Sequence, residues 1–191
     1  MRIVPAQVPD VAVLLGFRVE AAGWLAGRGS DQWQRGYPAE KLVAEIEGGR
    51  VFLVKDGDVA AAAVGLSVEV GAGAGLWTAE ELLEPSLYVS KLTVARAYAG
   101  MNLGGRLLDW AGDRGYAAGA RWLRLDAWTS NEGLQAYYLR HGFQHVRTVV
   151  DGVAGYGGPR VSGWLAQRRT CGAEHGFRDR TPPPERVGGE E

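Results

Sequence analysis

The sequence predicts an α/β (α+β) fold, a mixed central sheet of about six to seven strands flanked by about four helices, on three observations. Helical apolar stripes and strand-like alternation succeed one another along the chain, as in a mixed sheet with helices on its faces. An Asp56-Gly57 turn between two apolar runs ties at least one pair of strands into an antiparallel hairpin. The chain has 191 residues, 46% of them hydrophobic and 23% charged, which suits one globular core and a tail.

The elements follow in order. Arg2 to Val4 is a short apolar start, and Val11, Leu14, Leu15, Val19, Ala22 and Leu25 form a helical stripe that Gly27 stops. A second helix runs from Pro38 through Leu42, Val43 and Ile46 to Gly48-Gly49. Val51 to Val54 and Val59 to Val68 are the hairpin strands around Lys55-Asp56-Gly57-Asp58. The insertion from Gly71 to Pro85 carries Thr78-Ala79-Glu80-Glu81, a capping box that starts a short helix. From Leu87 to Val94 the apolar phase is odd at Leu87 and Val89 and even at Leu92 and Val94. Because the pleat holds alternate residues on one face, that flip predicts a bulge before Leu92. A helix over Leu103 to Ala118, a strand over Trp122 to Trp128, a helix over Asn131 to His141 ended by Gly142, and strands over Phe143 to Val150 and Val161 to Leu165 complete the order β-α-α-β-β-β-α-β-α-β-β. Residues 1–166 are thus the domain. From Gln167 onward the chain is polar and Pro-rich with one aromatic, Phe177, too little apolar surface to offset ordering entropy, and 167–191 is predicted to be a flexible tail.

Charge and cysteine content exclude several classes. Lys plus Arg is 21 against 22 for Asp plus Glu, so no overall positive field attracts nucleic acid or anionic lipid, and no such partner is expected. No apolar run approaches the roughly 18 residues a membrane span needs, and Met1-Arg2-Ile3-Val4-Pro5 lacks a signal-peptide core. A cytoplasmic location is the expectation. Cys171 stands alone, so neither an internal disulfide nor a cysteine-rich zinc site is expected. Its spacing from His175 is read as incidental, and His141 and His145 have no ligand spacing.

The most informative stretch runs from Leu92, Thr93 and Val94 through Ala99, Gly100, Met101 and Asn102 to Leu103, Gly104 and Gly105. A strand passes through a glycine-containing turn directly into a helix whose first amides have no internal acceptors. With the helix dipole this makes an anion site suited to phosphate. The competing reading is a plain turn whose glycines ease helix-to-sheet packing. Neither Gly-Lys-[Ser/Thr] nor Gly-x-Gly-x-x-Gly is present, so the P-loop and the dinucleotide fingerprint are excluded.

The stretch resembles the loop of the GNAT superfamily of acyl-CoA-dependent N-acetyltransferases, Gln/Arg-x-x-Gly-x-Gly/Ala, with Ala99, Asn102 and Gly104 at the three motif positions. Ala99 and Asn102 depart from the pattern. Asparagine is the residue after glycine that best tolerates left-handed backbone, so Asn102 preserves the loop's shape, while Ala99 loses a polar side chain. The segment Asn131-Glu132-Gly133-Leu134-Gln135-Ala136-Tyr137-Tyr138-Leu139-Arg140-His141-Gly142-Phe143 resembles the family's Asn-x-x-Ala-x-x-x-Tyr-x-x-x-Gly-Phe. Together the two segments cover Leu87 to Phe143 and imply a GNAT-like sheet.

The resemblance implies transfer of an acetyl group from acetyl-CoA to a primary amine of a small molecule by direct attack, without a metal. It leaves a homodimer open. Two alternatives stand beside it, a non-catalytic CoA-binding module and acetylation of a protein amine. The same resemblance implies that Leu92 to Val94 and Ala99 to Gly105 bind the cofactor, together with Asn131 and Tyr138, and that Val94's neighbourhood receives the thioester oxygen. Asn131 and Tyr138 lie seven residues apart, two helical turns, and share a face. Tyr138, a phenol of pKa about 10, is the candidate general acid, against a filler of the helix–sheet interface. Asn131 either caps its helix or binds CoA. Asp126 is the candidate base, against a solvated or Arg-paired carboxylate. Asp31, Glu69, Glu80 or a water chain are alternatives to it. The acceptor pocket is expected from the segment between the first two helices and from the insertion, at Asp31, Gln32, Trp33, Trp77 and Tyr88, with Trp24 and Tyr37 nearby. Trp33 is read either as a pocket wall or as an anchor under a loop.

Overall fold

The computed structural model describes residues 1–70, 75–150, 153–154, 158–159 and 162–187. Main-chain hydrogen bonds order eight strands as β10-β1-β2-β3-β4-β5-β9-β6, and β7 (Val153–Ala154) pairs with β8 (Gly158–Pro159) as a separate ribbon. The fold is the expected mixed α/β type, with eight strands in place of six to seven. The chain divides into two compact units, one of residues 1–66, 91–110 and 174–183 and one of 67–90, 111–173 and 184–191.

The first unit is built on β1 (Arg2–Pro5), β2 (Val51–Asp56) and β3 (Val59–Ser67), with α1 (Val11–Ala26) and α2 (Ala39–Glu47). Asp56 pairs with Val59 across the two residues Gly57-Asp58, and Gly57 takes φ 58°, the left-handed backbone that suits glycine. Val51, Phe52, Leu53 and Val54 are all buried, so β2 is covered on both faces. Leu14 and Phe17 of α1 and Leu42 and Ile46 of α2 pack on Val51, Leu53 and Ala63. Val19 faces solvent instead. It lies about 140° round the helix from Leu14.

The added strand comes from the segment assigned to a tail. β10 (Arg178–Asp179) pairs in parallel with β1, the Arg178 amide donating to Met1 O at 3.1 Å and the Arg180 amide to Ile3 O at 3.0 Å. Phe177 is buried at 8% exposure beneath the Arg106 guanidinium. Arg106, on α4 (Leu103–Ala117), donates from Nε to His175 O at 2.9 Å and from Nη2 to Gly176 O at 2.6 Å. Trp110 Nε1 donates to Asp179 Oδ2 at 2.7 Å. Main-chain bonding and one inserted ring hold this segment, and neither registers in composition.

The second unit holds the first half of β4 (Ser86–Val94), with β5 (Trp122–Trp128), β9 (Ser162–Arg169) and β6 (Gln144–Thr148). β9 begins at Ser162, since Val161 lies outside the described residues, and it continues to Arg169, past the predicted end at Leu165. Of the insertion, residues 71–74 also lie outside the described residues. The rest forms α3 (Ala79–Leu83) with the predicted capping box: Thr78 Oγ1 accepts the Glu81 amide at 3.2 Å, and Glu81 Oε2 accepts the Thr78 amide at 2.8 Å. Arg124 is fully buried here. Its guanidinium bonds the Gln167 side chain at 3.0 Å, the Glu81 carbonyl and the Glu84 carboxylate, and lies over the Trp77 ring at 4.6 Å.

Candidate active site

In the first unit, β4 leads into the loop that the sequence singled out. Lys91 takes φ 53°, a left-handed backbone within β4 at the position just before Leu92 where the phase flip suggests a bulge. Leu92, Thr93 and Val94 follow it, half-buried, and a single helical turn over Arg96–Tyr98 carries the chain to Ala99. Gly100 and Asn102 then both adopt left-handed backbone, φ 85° and 52°, and α4 begins at Leu103. Asn102 thus adopts the left-handed backbone that its residue type tolerates best after glycine. The amides of Gly100, Asn102, Leu103, Gly104 and Gly105 donate to no protein acceptor among the described residues. Ala99, Gly100, Met101 and Asn102 are exposed, and a Cβ added at Gly100 would meet nothing within 4 Å. Leu103, Gly104 and Gly105 are buried behind that exposed loop, and amides without acceptors at a helix start are the geometry that binds phosphate oxygens.

The same unit contains a small open cleft whose wall includes Trp33, Tyr37, Arg18 and Lys91 over an apolar floor of Phe17 and Leu42. Trp33 holds φ 63°, unusual for so bulky a residue. Of the residues expected at an acceptor pocket, Trp33 lines this cleft and Tyr37 joins it. Asp31 is exposed and Gln32 is buried, and neither is on the wall. Trp24 lies between the Arg28 and Arg96 guanidinium groups, 3.8 and 4.5 Å from its ring centre. Arg18 and Lys91 were not singled out by the sequence reading. The available signals were an arginine within an otherwise apolar helical stretch and a lysine at the phase flip.

In the second unit, the parallel ladder between β4 and β5 runs from Ser86↔Trp122 to Tyr88↔Arg124 and no further among the described residues. β5 stays paired on its other side, with β9, as far as Trp128. Trp77 is buried in a core with Leu76 and Leu165, its ring edge-on to Tyr88 at 6.0 Å. The Tyr88 hydroxyl lies 3.4 Å from Arg124 Nη1. Both aromatics thus serve packing in this unit.

α5 (Glu132–Arg140) carries the second motif. Asn131 Oδ1 accepts the Leu134 amide at 2.9 Å, so the asparagine caps the helix. Tyr138 is the buried residue of α5, at 7% exposure, with Tyr137 and Phe143 packed edgewise at 5.7 and 5.6 Å. Its hydroxyl has no hydrogen-bond partner among the described residues. Burial, then the neighbouring Tyr137 and the Asp126 charge, push its pKa above the ordinary phenol value, so the proton is held firmly at neutral pH. Asp126 is exposed on β5, between buried Leu125 and Ala127, and accepts a hydrogen bond from the Ser162 hydroxyl.

Among the described residues, no group of three His, Cys, Asp or Glu side chains could hold a metal ion, and no helix is long and apolar enough to cross a membrane.

Comparison with known proteins bears on the same residues. The sequence model of the acetyltransferase (GNAT) family matches residues 19–143. The chain is similar to a Bacillus subtilis (strain 168) protein described as an uncharacterized N-acetyltransferase, YesJ, at 33% identity over 144 residues, 73% of this chain and 79% of that one. Among solved structures it is similar to a GNAT acetyltransferase of Listeria monocytogenes, with a TM-score of 0.65 at 22% identity over 87% of this chain and 93% of that one. It is also similar to the PaiA N-acetyltransferase of Thermoplasma acidophilum in complex with coenzyme A, with a TM-score of 0.64 at 17% identity over 88% and 98% of the two chains. With a family match spanning both motif segments, the chain belongs to the GNAT acetyltransferase family.

Proposed function

We propose that this acyl-CoA-dependent N-acetyltransferase moves the acetyl group of acetyl-CoA to the primary amine of a small molecule by direct attack, with Tyr138 as the general acid. The observation that carries the reading is the set of amides at Gly100 and from Asn102 to Gly105 that have no protein acceptor among the described residues, with Gly100 and Asn102 in left-handed backbone. Acetyl-CoA would supply an activated acyl carbon and a diphosphate. Gly100 and Asn102 to Gly105 offer five amides to diphosphate oxygens, and Ala99 leaves the approach unobstructed by a longer side chain. The amides beside Leu92, Thr93 and Val94, past left-handed Lys91, are the donors for a carbonyl oxygen gaining charge. Tyr138 holds a proton at its Oη for a departing thiolate of pKa about 8.5. In the overall change a C–N bond forms, the thioester C–S bond breaks, one proton leaves nitrogen and one reaches sulfur. Asp126 is the carboxylate proposed to receive the proton from nitrogen. Asn131, whose oxygen caps α5, is proposed to contribute to the cofactor site from the start of that helix.

The test is thiol release from acetyl-CoA with a panel of amines, together with calorimetric binding of acetyl-CoA. Asn102→Gly should bind acetyl-CoA within about threefold of the native chain. Asn102→Val, which must force a β-branched residue into left-handed backbone at about 1–2 kcal/mol, should lose about tenfold. Equal affinity for both variants would remove the loop from the cofactor site.

A further inference from the structure

The first turn of α4 is poorly equipped to hold its own shape. Gly104 and Gly105 follow Leu103 at the helix start, and glycine gives up more backbone freedom on entering a helix than any other residue. The amides of Leu103, Gly104 and Gly105 have no acceptor among the described residues. Helical bonding begins with Arg106, whose amide donates to Asn102 O at 3.1 Å. A turn that binds phosphate through its amides gains affinity when those donors are fixed before the ligand arrives.

The Arg106 side chain is fixed from outside the helix. Its Nε donates to His175 O and its Nη2 to Gly176 O, and the guanidinium carbon lies 4.3 Å from the Phe177 ring centre. Two bonds from one planar fork to successive carbonyls set the direction of the side chain as well as its reach. The receiving turn is itself well defined. His175 Nδ1 accepts the Phe177 amide at 3.2 Å, Gly176 takes φ 68°, and a Cβ added at Gly176 would lie 3.1 Å from Arg106 Nη2. One helical turn beyond Arg106, Trp110 bonds Asp179, which pairs with β1. α4 is thus tied twice to a segment 69 residues later in the chain, and that segment is tied to the sheet. Packing of the helix alone does not require a tie at Arg106. A tie there holds the residue whose amide closes the turn that carries the acceptor-less amides.

We infer that Arg106 is a positioning residue for the cofactor: by joining residues 175–177 to the first turn of α4, it presets the Leu103, Gly104 and Gly105 amides for the diphosphate. Docking of the C-terminal segment and binding of acetyl-CoA therefore favour one another. The inference rests on the reading of the Gly100 to Gly105 loop as the diphosphate site.

The test is calorimetric binding of acetyl-CoA at a temperature where each variant is folded, as judged by circular dichroism. Arg106→Gln should raise the Kd about tenfold. Arg106→Lys keeps the charge without the planar fork and should still lose at least about threefold. Gly176→Ala leaves Arg106 in place and disturbs its partner turn. It should lose about as much as Arg106→Gln, and the double variant no more than either alone, since both break the same link. Full affinity in Arg106→Lys would make charge the operative feature and overturn the positioning role. Unchanged affinity in Arg106→Gln or Gly176→Ala, or additive losses in the double variant, would overturn it too. Those outcomes leave the loop reading standing if Asn102→Val still weakens binding. No binding by the native chain, or an unaffected Asn102→Val, overturns the loop reading and this inference with it. The native chain supplies a measurement that needs no variant. By reciprocity, saturating acetyl-CoA should slow hydrogen exchange about tenfold at the Arg178 and Arg180 amides, which hold the segment to β1. Unchanged exchange there, with acetyl-CoA bound, overturns the inference even if the variants fail to fold.

Discussion

Burying the Tyr138 ring penalises its phenolate and not its phenol, and the nearby Asp126 charge adds to the effect, so one side chain acquires a firmly held proton and an unshared hydroxyl. Tyr138→Phe should lower kcat about 100-fold with the KM for acetyl-CoA within about threefold, measured by initial rates of thiol release. The raised pKa also links folding to pH. Stability from this group is fully present below the phenol's unfolded value of about 10 and is lost as pH rises toward the folded value, by about 1.4 kcal/mol per pH unit. Urea midpoints should therefore fall above pH 10 in the native chain and fall less in Tyr138→Phe. At this scale the sequence was informative wherever a residue's job is local. Asn102 takes the left-handed backbone that its type favours, and Asn131 caps α5. It was silent on Arg18 and Lys91, whose placement beside Tyr37 brings together three distant parts of the chain.

Among the elements, α3 is the clearest case of short-range determination. Thr78 and Glu81 satisfy one another's amides, and Glu81 also receives the Arg147 guanidinium, which holds its carboxyl below the ordinary range. Thr78→Ala removes the acceptor for the Glu81 amide and should cost about 1 kcal/mol, read as a lower urea midpoint with an unchanged slope. The phase flip in β4 coincides with a left-handed residue, Lys91, whose backbone departs from a regular pleat there. Trp77 and Tyr88 were expected at an acceptor pocket, but Trp77 packs on Leu165 and beneath Arg124, and Tyr88 meets both Trp77 and the Arg124 guanidinium. An aromatic in a polar insertion reads alike in sequence whether it faces a ligand or a buried arginine.

For the whole molecule, the residues after Gln167 changed the account most. Low apolar content predicted a flexible tail, yet residues 174–183 belong to the first unit, where β10 extends the sheet past β1 and Phe177 fills a buried position. Phe177→Ala should cost about 3 kcal/mol of stability, and truncation after Ala173 at least as much, both measurable by urea denaturation. An outcome below about 1 kcal/mol would mean that the segment is dispensable to the unit. By itself the sequence determined the helices, the hairpin, the caps and the amide-bearing loop. Each is decided within a few residues by backbone sterics, hydrogen-bond satisfaction and apolar period. Only the tertiary structure decided that β10 joins the sheet, that β4 pairs in parallel with β5 from Ser86 to Tyr88, and that Arg18 and Lys91 meet at Tyr37. Those features join residues far apart in the chain, and their energy comes from burial and pairing that no local window contains.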